Sequence, residues 1–327
     1  MLPSTRSALS KKNKKAVHST KKVVYLIDNQ EIKHTNSLLQ NYEIILKNLR
    51  KIQQEENCGF KPIKPKLSDL ELVSLNIAAK QKGIDSEYQL FREIKGTCLF
   101  EQIERSVYNK RKRKLAMWME DVRLKMAKKL IEFEDYFTVD SMPLEICKNA
   151  RAKRSKICRE EHYSSPNMGY CASQNTYYYG YKLHAVCSLA GVIQSYDLTP
   201  ASVHDIKYLQ DIKQQLPDCV LLGDKGYLSS EVQVDLLTSA NIKLKTPMRK
   251  NQKNYKKRPY VFRKHRKRIE TIFSQLCDQF MIRRNYAKVF SGFKVRIISK
   301  IMAFTTVQYL NKFVFNRKLN NIKVNLI

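Results

Sequence analysis

A mixed α/β protein is predicted, with a mixed sheet flanked by helices and preceded by a small all-helical N-terminal module. Apolar residues recur at threes and fours between Leu67 and Ile131, as helix faces require. After Glu134 the texture changes to short β-rich runs, and from Val220 onward strand-like and helix-like segments alternate.

Taken in order, residues 1–22 carry seven Lys/Arg and no acid among Ser, Thr and Asn, the composition of a solvated, disordered arm. Leu38, Leu39, Tyr42, Ile45, Leu46 and Leu49 make one helix face, and the two prolines of "GFKPIKPK" then form a linker. "LSDLELVSLNIAAKQKG" opens a second helix with Ser68 as N-cap and closes it at Gly83. The basic cluster Lys110–Lys114 precedes Leu115, Trp118, Met119, Val122 and Met126 at helical spacing, so residues 67–131 read as helices with a basic face. Strands are expected at "YFTVDSMPLEIC", on both sides of Ala190-Gly191, and in "CVLLGDKGY". "SEVQVDLLTSANI" reads as a helix, "KLKTP" as a further strand, and a long helix begins near Arg263.

The chain has 327 residues, 43% of them hydrophobic, enough to bury a substantial core. Its 61 Lys+Arg against 30 Asp+Glu leave a formal charge of +31, which calls for a polyanionic partner. No run of about 18 apolar residues is present, so a membrane is not that partner. The N-terminus also lacks the apolar stretch of a secretory signal. The eight cysteines are scattered without a C-x-x-C pair and read as reduced intracellular thiols. Cys158, His162 and Cys171 make a fragment of a zinc pattern that lacks a fourth ligand.

Asp140 follows the apolar run Tyr136–Val139, and Asp224 follows Val220–Gly223, so each carboxylate is expected at a strand tip, where α/β sheets place ligands. Either one alone is equally an ordinary turn residue. A third acid, Glu270, lies beside the buried stripe Ile269, Ile272, Phe273 and Leu276, with Arg263, Arg266 and Lys267 on the preceding turns. A surface ion pair is its plainer reading. Together, two strand-end aspartates and a helical glutamate match a two-metal phosphoryl-transfer site. Hard oxygen ligands hold magnesium, and two ions about 3.5–4 Å apart stabilise the attacking and leaving oxygens.

The ordered set "TVDSMPLEICKNARAKRSK", "YYGYKLHAVCSLAGVI", "TPASVHD", "LLGDKGY" and "RKRIETIFSQL" resembles bacterial insertion-sequence transposases of the DDE class, and the insertion-sequence 982 family in particular, over roughly residues 66–312. The resemblance implies a ribonuclease H-like catalytic core with the triad on Asp140, Asp224 and Glu270. It implies cutting at terminal inverted repeats and joining of 3′-hydroxyl ends to target DNA. The expected cofactor is Mg2+, two ions per site, with Mn2+ as a substitute. The domains then read as a basic arm at 1–22, a helical DNA-binding module at 23–131, the DDE domain at 132–312 and a tail at 313–327. A homo-oligomer on DNA and a cytoplasmic, nucleoid-associated location in a bacterium are expected. The related insertion-sequence 4 group has a tyrosine, arginine, glutamate, lysine signature; Arg266 and Glu270 fit it, whereas Arg263 stands for the tyrosine and Cys277 for the lysine. The phosphate-gripping role of that lysine then falls to Arg263, Lys267 or Gln275.

The segment from Lys243 to Arg268 holds 13 Lys/Arg and no acid, interleaved with Tyr255, Tyr260 and Phe262, the pattern of a phosphate-neutralising surface that also stacks bases. Six basic residues from Lys148 to Arg159 read the same way. Arg151, Lys153, Arg154, Lys225, Arg263, Arg266 and Lys267 are the expected DNA contacts. His184, His204 and Asp205 are secondary site residues, with packing for the strand histidine and helix capping for Asp205 as the plainer readings. Two other functions share these features: a non-catalytic nucleic-acid-binding protein, decayed or repurposed, and a metal-dependent nuclease without strand joining.

Overall fold

The computed structural model describes residues 37–131, 134–248, 255 and 260–323. The basic arm at 1–22 and most of the basic stretch from 249 to 259 lie outside the described residues. Among the described residues six helices come first: α1 (Ser37–Leu49), α2 (Asp69–Gln81), α3 (Glu87–Glu93), α4 (Cys98–Gln102), α5 (Arg105–Lys114) and α6 (Ala116–Leu130). The expected N-cap of α2 is a full capping box. Ser68 Oγ accepts from the Glu71 N–H at 3.1 Å and Glu71 Oε2 accepts from the Ser68 N–H at 2.7 Å. Just past its end, Gly83 has φ +70°, a conformation that a side chain would strain.

The sheet contains β1 (Tyr136–Cys147), β2 (Asn167–Cys171), β3 (Thr176–Ser188), β4 (Ile193–Pro200), β5 (Val220–Leu222) and β6 (Lys243–Lys245). Its order is β2-β3-β1-β5-β6, with β4 also paired to β3. β1 and β4 run antiparallel to β3, whereas β1, β5 and β6 are mutually parallel. An antiparallel meander followed by parallel strands added at β1 is the ribonuclease H-like arrangement. The connections to the parallel strands carry α7 (Tyr208–Gln215) and α8 (Ser230–Ala240); α9 (Tyr260–Asp278) and α10 (Phe290–Phe313) follow the sheet.

Strand alternation assigns the two faces. Phe137 and Val139 of β1 pack with Leu209 and Ile212 of α7 and Leu236 of α8. Met142 and Leu144 join the other cluster, which takes in Ile269, Ile272 and Leu276 of α9, much of α10, and the N-terminal helices. α10 lies along α2 and α6 and is buried almost all round. The helical region and the sheet therefore share one apolar cluster. A buried cation also joins them. Arg123 of α6 donates to the carbonyls of Ile193 at 2.5 Å and Gln194 at 3.0 Å, covering the start of edge strand β4.

β1 corrects one expectation. Asp140 does not end its strand, because β1 continues to Cys147 along β3. What ends near Asp140 is the pairing with β5, whose last partner is Thr138. Beyond that point β1 is an edge on that side, a setting that tolerates Pro143.

Candidate active site

Register brings the first two carboxylates together. Thr138 of β1 stands opposite Leu222 of β5 in parallel pairing, and Asp140 and Asp224 each lie two residues further on. Asp224 lies in the turn past the end of β5, close enough for its charge to act on Asp140, whose place two residues after Thr138 puts it on one face of β1. It is the face that carries Met142 and Leu144 and is covered by α9. Ile269 and Ile272 are buried in that contact, which leaves the intervening Glu270 at its rim, 54% exposed.

Each carboxylate is held differently. Asp140 Oδ1 accepts from the Ser141 N–H at 2.9 Å. Burial, with the negative charges of Asp224 and Glu270 adding to it, lifts its pKa to about 6 against the pull of that hydrogen bond and of Arg266. Asp224 caps the turn Lys225–Tyr227, its Oδ1 accepting from the Gly226 N–H at 2.6 Å. The glycines of "LLGDKGY" serve this turn. A Cβ on Gly226 would stand 2.9 Å from Asp224 Oδ1, and one on Gly223 would stand 3.1 Å from Tyr227 Cβ. Lys225 is exposed.

Arg266 stands between the other two acids. Its Nη2 is 3.7 Å from Asp224 Oδ2 and its Nε 3.6 Å from Glu270 Oε1. One turn of α9 separates Arg266 from Glu270, so the helix supplies both an acid and its counter-charge. Arg266, one of the residues expected on DNA, also offsets the acids. The Arg263 side chain lies outside the described residues, and Lys267 is exposed. Gln275 donates to the Asn320 carbonyl at 3.1 Å and is engaged with the C-terminal segment.

Asp205 belongs to the same neighbourhood. Its Oδ1 is 2.9 Å from Lys182 Nζ and accepts from Ser141 Oγ at 3.1 Å, next to Asp140. Tyr227 is buried beneath these groups, its hydroxyl without a hydrogen-bond partner among the described residues, and burial with the charges of Asp205, Asp140 and Asp224 pushes its pKa well up. His184 is fully buried, 2.8 Å from Thr199 Oγ1 and stacked on Tyr208, and burial lowers its pKa to about 4. It is a neutral packing residue at neutral pH. His204 caps the turn at Asp205, its Nδ1 accepting from the Ile206 N–H at 3.3 Å.

The carboxylates of Asp224, Glu270 and Asp205 and the Ser141 hydroxyl around Asp140 are oxygens of the kind that suits a hard divalent cation. The raised pKa of Asp140, owed to burial and then to the charges of Asp224 and Glu270, marks a site that favours added positive charge. Among the described residues no three His, Cys, Asp or Glu side chains are drawn close enough to hold a metal ion. Arg266 supplies the counter-charge in this arrangement. The carboxylates suit a hard divalent cation in donor type and charge.

Several of the basic residues expected on DNA are exposed. Arg151, Lys153 and Arg154 are exposed on the turn Asn149–Arg154 that leaves β1, and Lys243 and Lys245 are exposed on β6. Among the described residues no helix is long and apolar enough to cross a membrane.

Sheet topology and acidic site together define a ribonuclease H-like protein with carboxylates gathered beside the parallel β1–β5 pair. The chain belongs to the transposase DDE domain family, whose model matches residues 132–305. It is also similar, distantly, to a solved structure described as the Mos1 transposase paired-end complex with left transposon end. The two are 13% identical, with a TM-score of 0.22, over 79% of this chain and 82% of that one. No curated protein matches at a significant level.

Proposed function

We propose that the chain is an insertion-sequence transposase of the 982 type. It cuts DNA at terminal inverted repeats and joins the 3′-hydroxyl ends to target DNA, with Asp140, Asp224 and Glu270 as its catalytic, metal-holding residues. The observation that carries this reading is the convergence of three acids: the charges of Asp224 and Glu270 both act on Asp140, and Arg266 lies within 3.7 Å of the first two. A protein that only binds DNA gains nothing from acids held beside phosphates.

Asp140, Asp224 and Glu270 would hold the magnesium ions, which when bound supply Lewis-acid stabilisation of the attacking and leaving oxygens of an in-line displacement. The remaining work belongs to the chain. Asp140 is pre-positioned by Ser141, Asp224 by the Gly226 N–H, and Arg266 keeps two carboxylates from repelling each other while the site waits for cation and DNA. The exposed cations Arg151, Lys153, Arg154, Lys225 and Lys267 neutralise phosphates around the site. The helical module contributes to recognition of the terminal repeats, and the protein works as a homo-oligomer on DNA in the bacterial nucleoid.

The test is incubation of the full chain with DNA bearing the element ends and Mg2+ or Mn2+, wild type beside Asp224→Asn. Cleaved and joined products from the wild type alone, with binding kept by the variant, are expected. Equal cutting by both proteins would remove Asp224 from the site. Cut ends that are never joined would favour the nuclease reading.

A further inference from the structure

A second set of charges lies outside the carboxylate site, where the start of α3, the end of α5 and the start of α10 meet. Lys80 Nζ is 2.9 Å from Asp85 Oδ1, Lys300 Nζ 3.2 Å from Asp85 Oδ2, and Arg296 Nη1 3.3 Å from Asp85 Oδ1. Arg296 Nη2 is also 2.9 Å from Glu87, and Lys112 Nζ is 2.5 Å from the same carboxylate. Four cations thus share two carboxylates, with Lys80, Arg296 and Lys300 also donating to backbone carbonyls, and Lys80, Asp85, Lys112 and Lys300 are buried. A surplus of positive charge in a low-dielectric interior is expensive unless an anion joins it. The strain shows in the lysines. Burial, with repulsion from neighbouring cations, brings Lys112 and Lys300 down to about 8 despite their acidic partners.

A cavity of about 230 Å³ opens onto this network. Its charged lining is Lys112, Arg113, Lys288 and Arg296 against the single acid Glu87. The first turn of α10 completes the wall through Val289 and Gly292. The Val289 N-cap of that helix makes no side-chain cap, and its first N–H, that of Phe290, is already taken by the Glu160 carboxylate. The larger cavity beside β4, about 590 Å³, sets Lys128 and Lys294 against Glu120, Glu161 and Asp197 and selects no sign of charge.

We propose that the smaller cavity binds a phosphate group delivered by the DNA backbone, with Arg113 and Lys288 at its mouth and Lys112 and Arg296 at its floor. The proposal rests on the reading that DNA is the partner and is independent of the carboxylate triad.

The experiment measures duplex binding by the full chain as a function of salt, using fluorescence anisotropy. Wild type is compared with Arg113→Gln/Lys288→Gln and with Lys318→Gln/Lys323→Gln, which removes two exposed charges from the segment after α10. The proposal expects the log–log salt slope of the first variant to be shallower by about 0.9, one phosphate contact, with the second near wild type. Equal slope losses in the two variants overturn it. A parallel melting experiment compares sodium phosphate with sodium chloride at equal ionic strength. Stabilisation by phosphate that is lost in Arg113→Gln/Lys288→Gln supports a built oxyanion site. The same stabilisation with an unaltered DNA slope assigns the cavity to free phosphate and overturns the DNA assignment. Failure of the wild type to bind duplex would instead overturn the functional reading itself.

Discussion

Replacing Asp140 by Asn should stabilise the protein while ending its activity. Asp140 titrates near 6 when folded, against an ordinary carboxylate value of 3.8. A raised carboxylate pKa means that the folded state holds the proton more tightly than the unfolded state. Below 3.8 the group has no effect on stability; as pH rises through about 6 it becomes a full penalty, ~3 kcal/mol at ~1.4 kcal/mol per pH unit. Asparagine keeps an oxygen for the Ser141 N–H and carries no charge beside Asp224 and Glu270. Urea denaturation in EDTA should therefore show Asp140→Asn more stable than wild type by up to ~3 kcal/mol at pH 8, with the two converging near pH 4. Adding Mg2+ should raise the stability of the wild type and leave the variant nearly unmoved. A variant equal to or weaker than wild type at pH 8 would refute the claim that Asp140 is held under electrostatic strain.

Arg266→Gln removes the guanidinium between Asp224 and Glu270, so the Asp140 pKa, followed by carboxyl NMR, should rise above about 6; an unchanged value would deny Arg266 its balancing role. Asp205→Asn loses the charge that holds Lys182 and Ser141, and single-turnover cleavage should fall about 10- to 100-fold without disappearing, a loss of ~1.4–2.7 kcal/mol of transition-state stabilisation. Arg123→Ala strips the start of β4 of two donors and leaves Glu120 without its cation, a cost of about 3–5 kcal/mol in urea unfolding.

The acids were legible in the sequence because a carboxylate closing an apolar run conflicts with strand chemistry, and Asp140 and Asp224 both do so. The meander, the Ala190-Gly191 turn and the Ser68 cap were legible because turn residues and capping boxes act locally. The run "YFTVDSMPLEIC" showed the extent of β1, but Asp140 was misplaced at a strand tip, since Asp-Ser-Met-Pro reads as a turn until β3 supplies a pairing partner. The setting of α10 was hidden for a different reason. A helix apolar on all sides has no stripe to reveal its partners, and its Arg296 and Lys300 look like surface charges until Asp85 and Glu87 are found against them. Arg266 carried a signal that was read differently: its position four residues before Glu270 gives the ion pair, but only the fold brings Asp224 to its other side.

The most direct test of the triad is metal-dependent cleavage of DNA carrying the element ends by Asp140→Asn, Asp224→Asn and Glu270→Gln. The reference is Asp235→Asn, which removes an exposed acid paired with Lys213. The account predicts that each of the three loses cutting by at least about 1,000-fold, ~4 kcal/mol of transition-state stabilisation, while binding the same DNA, and that Asp235→Asn cuts like wild type. Any one of the three that cuts at the wild-type rate would contradict the assignment of the site.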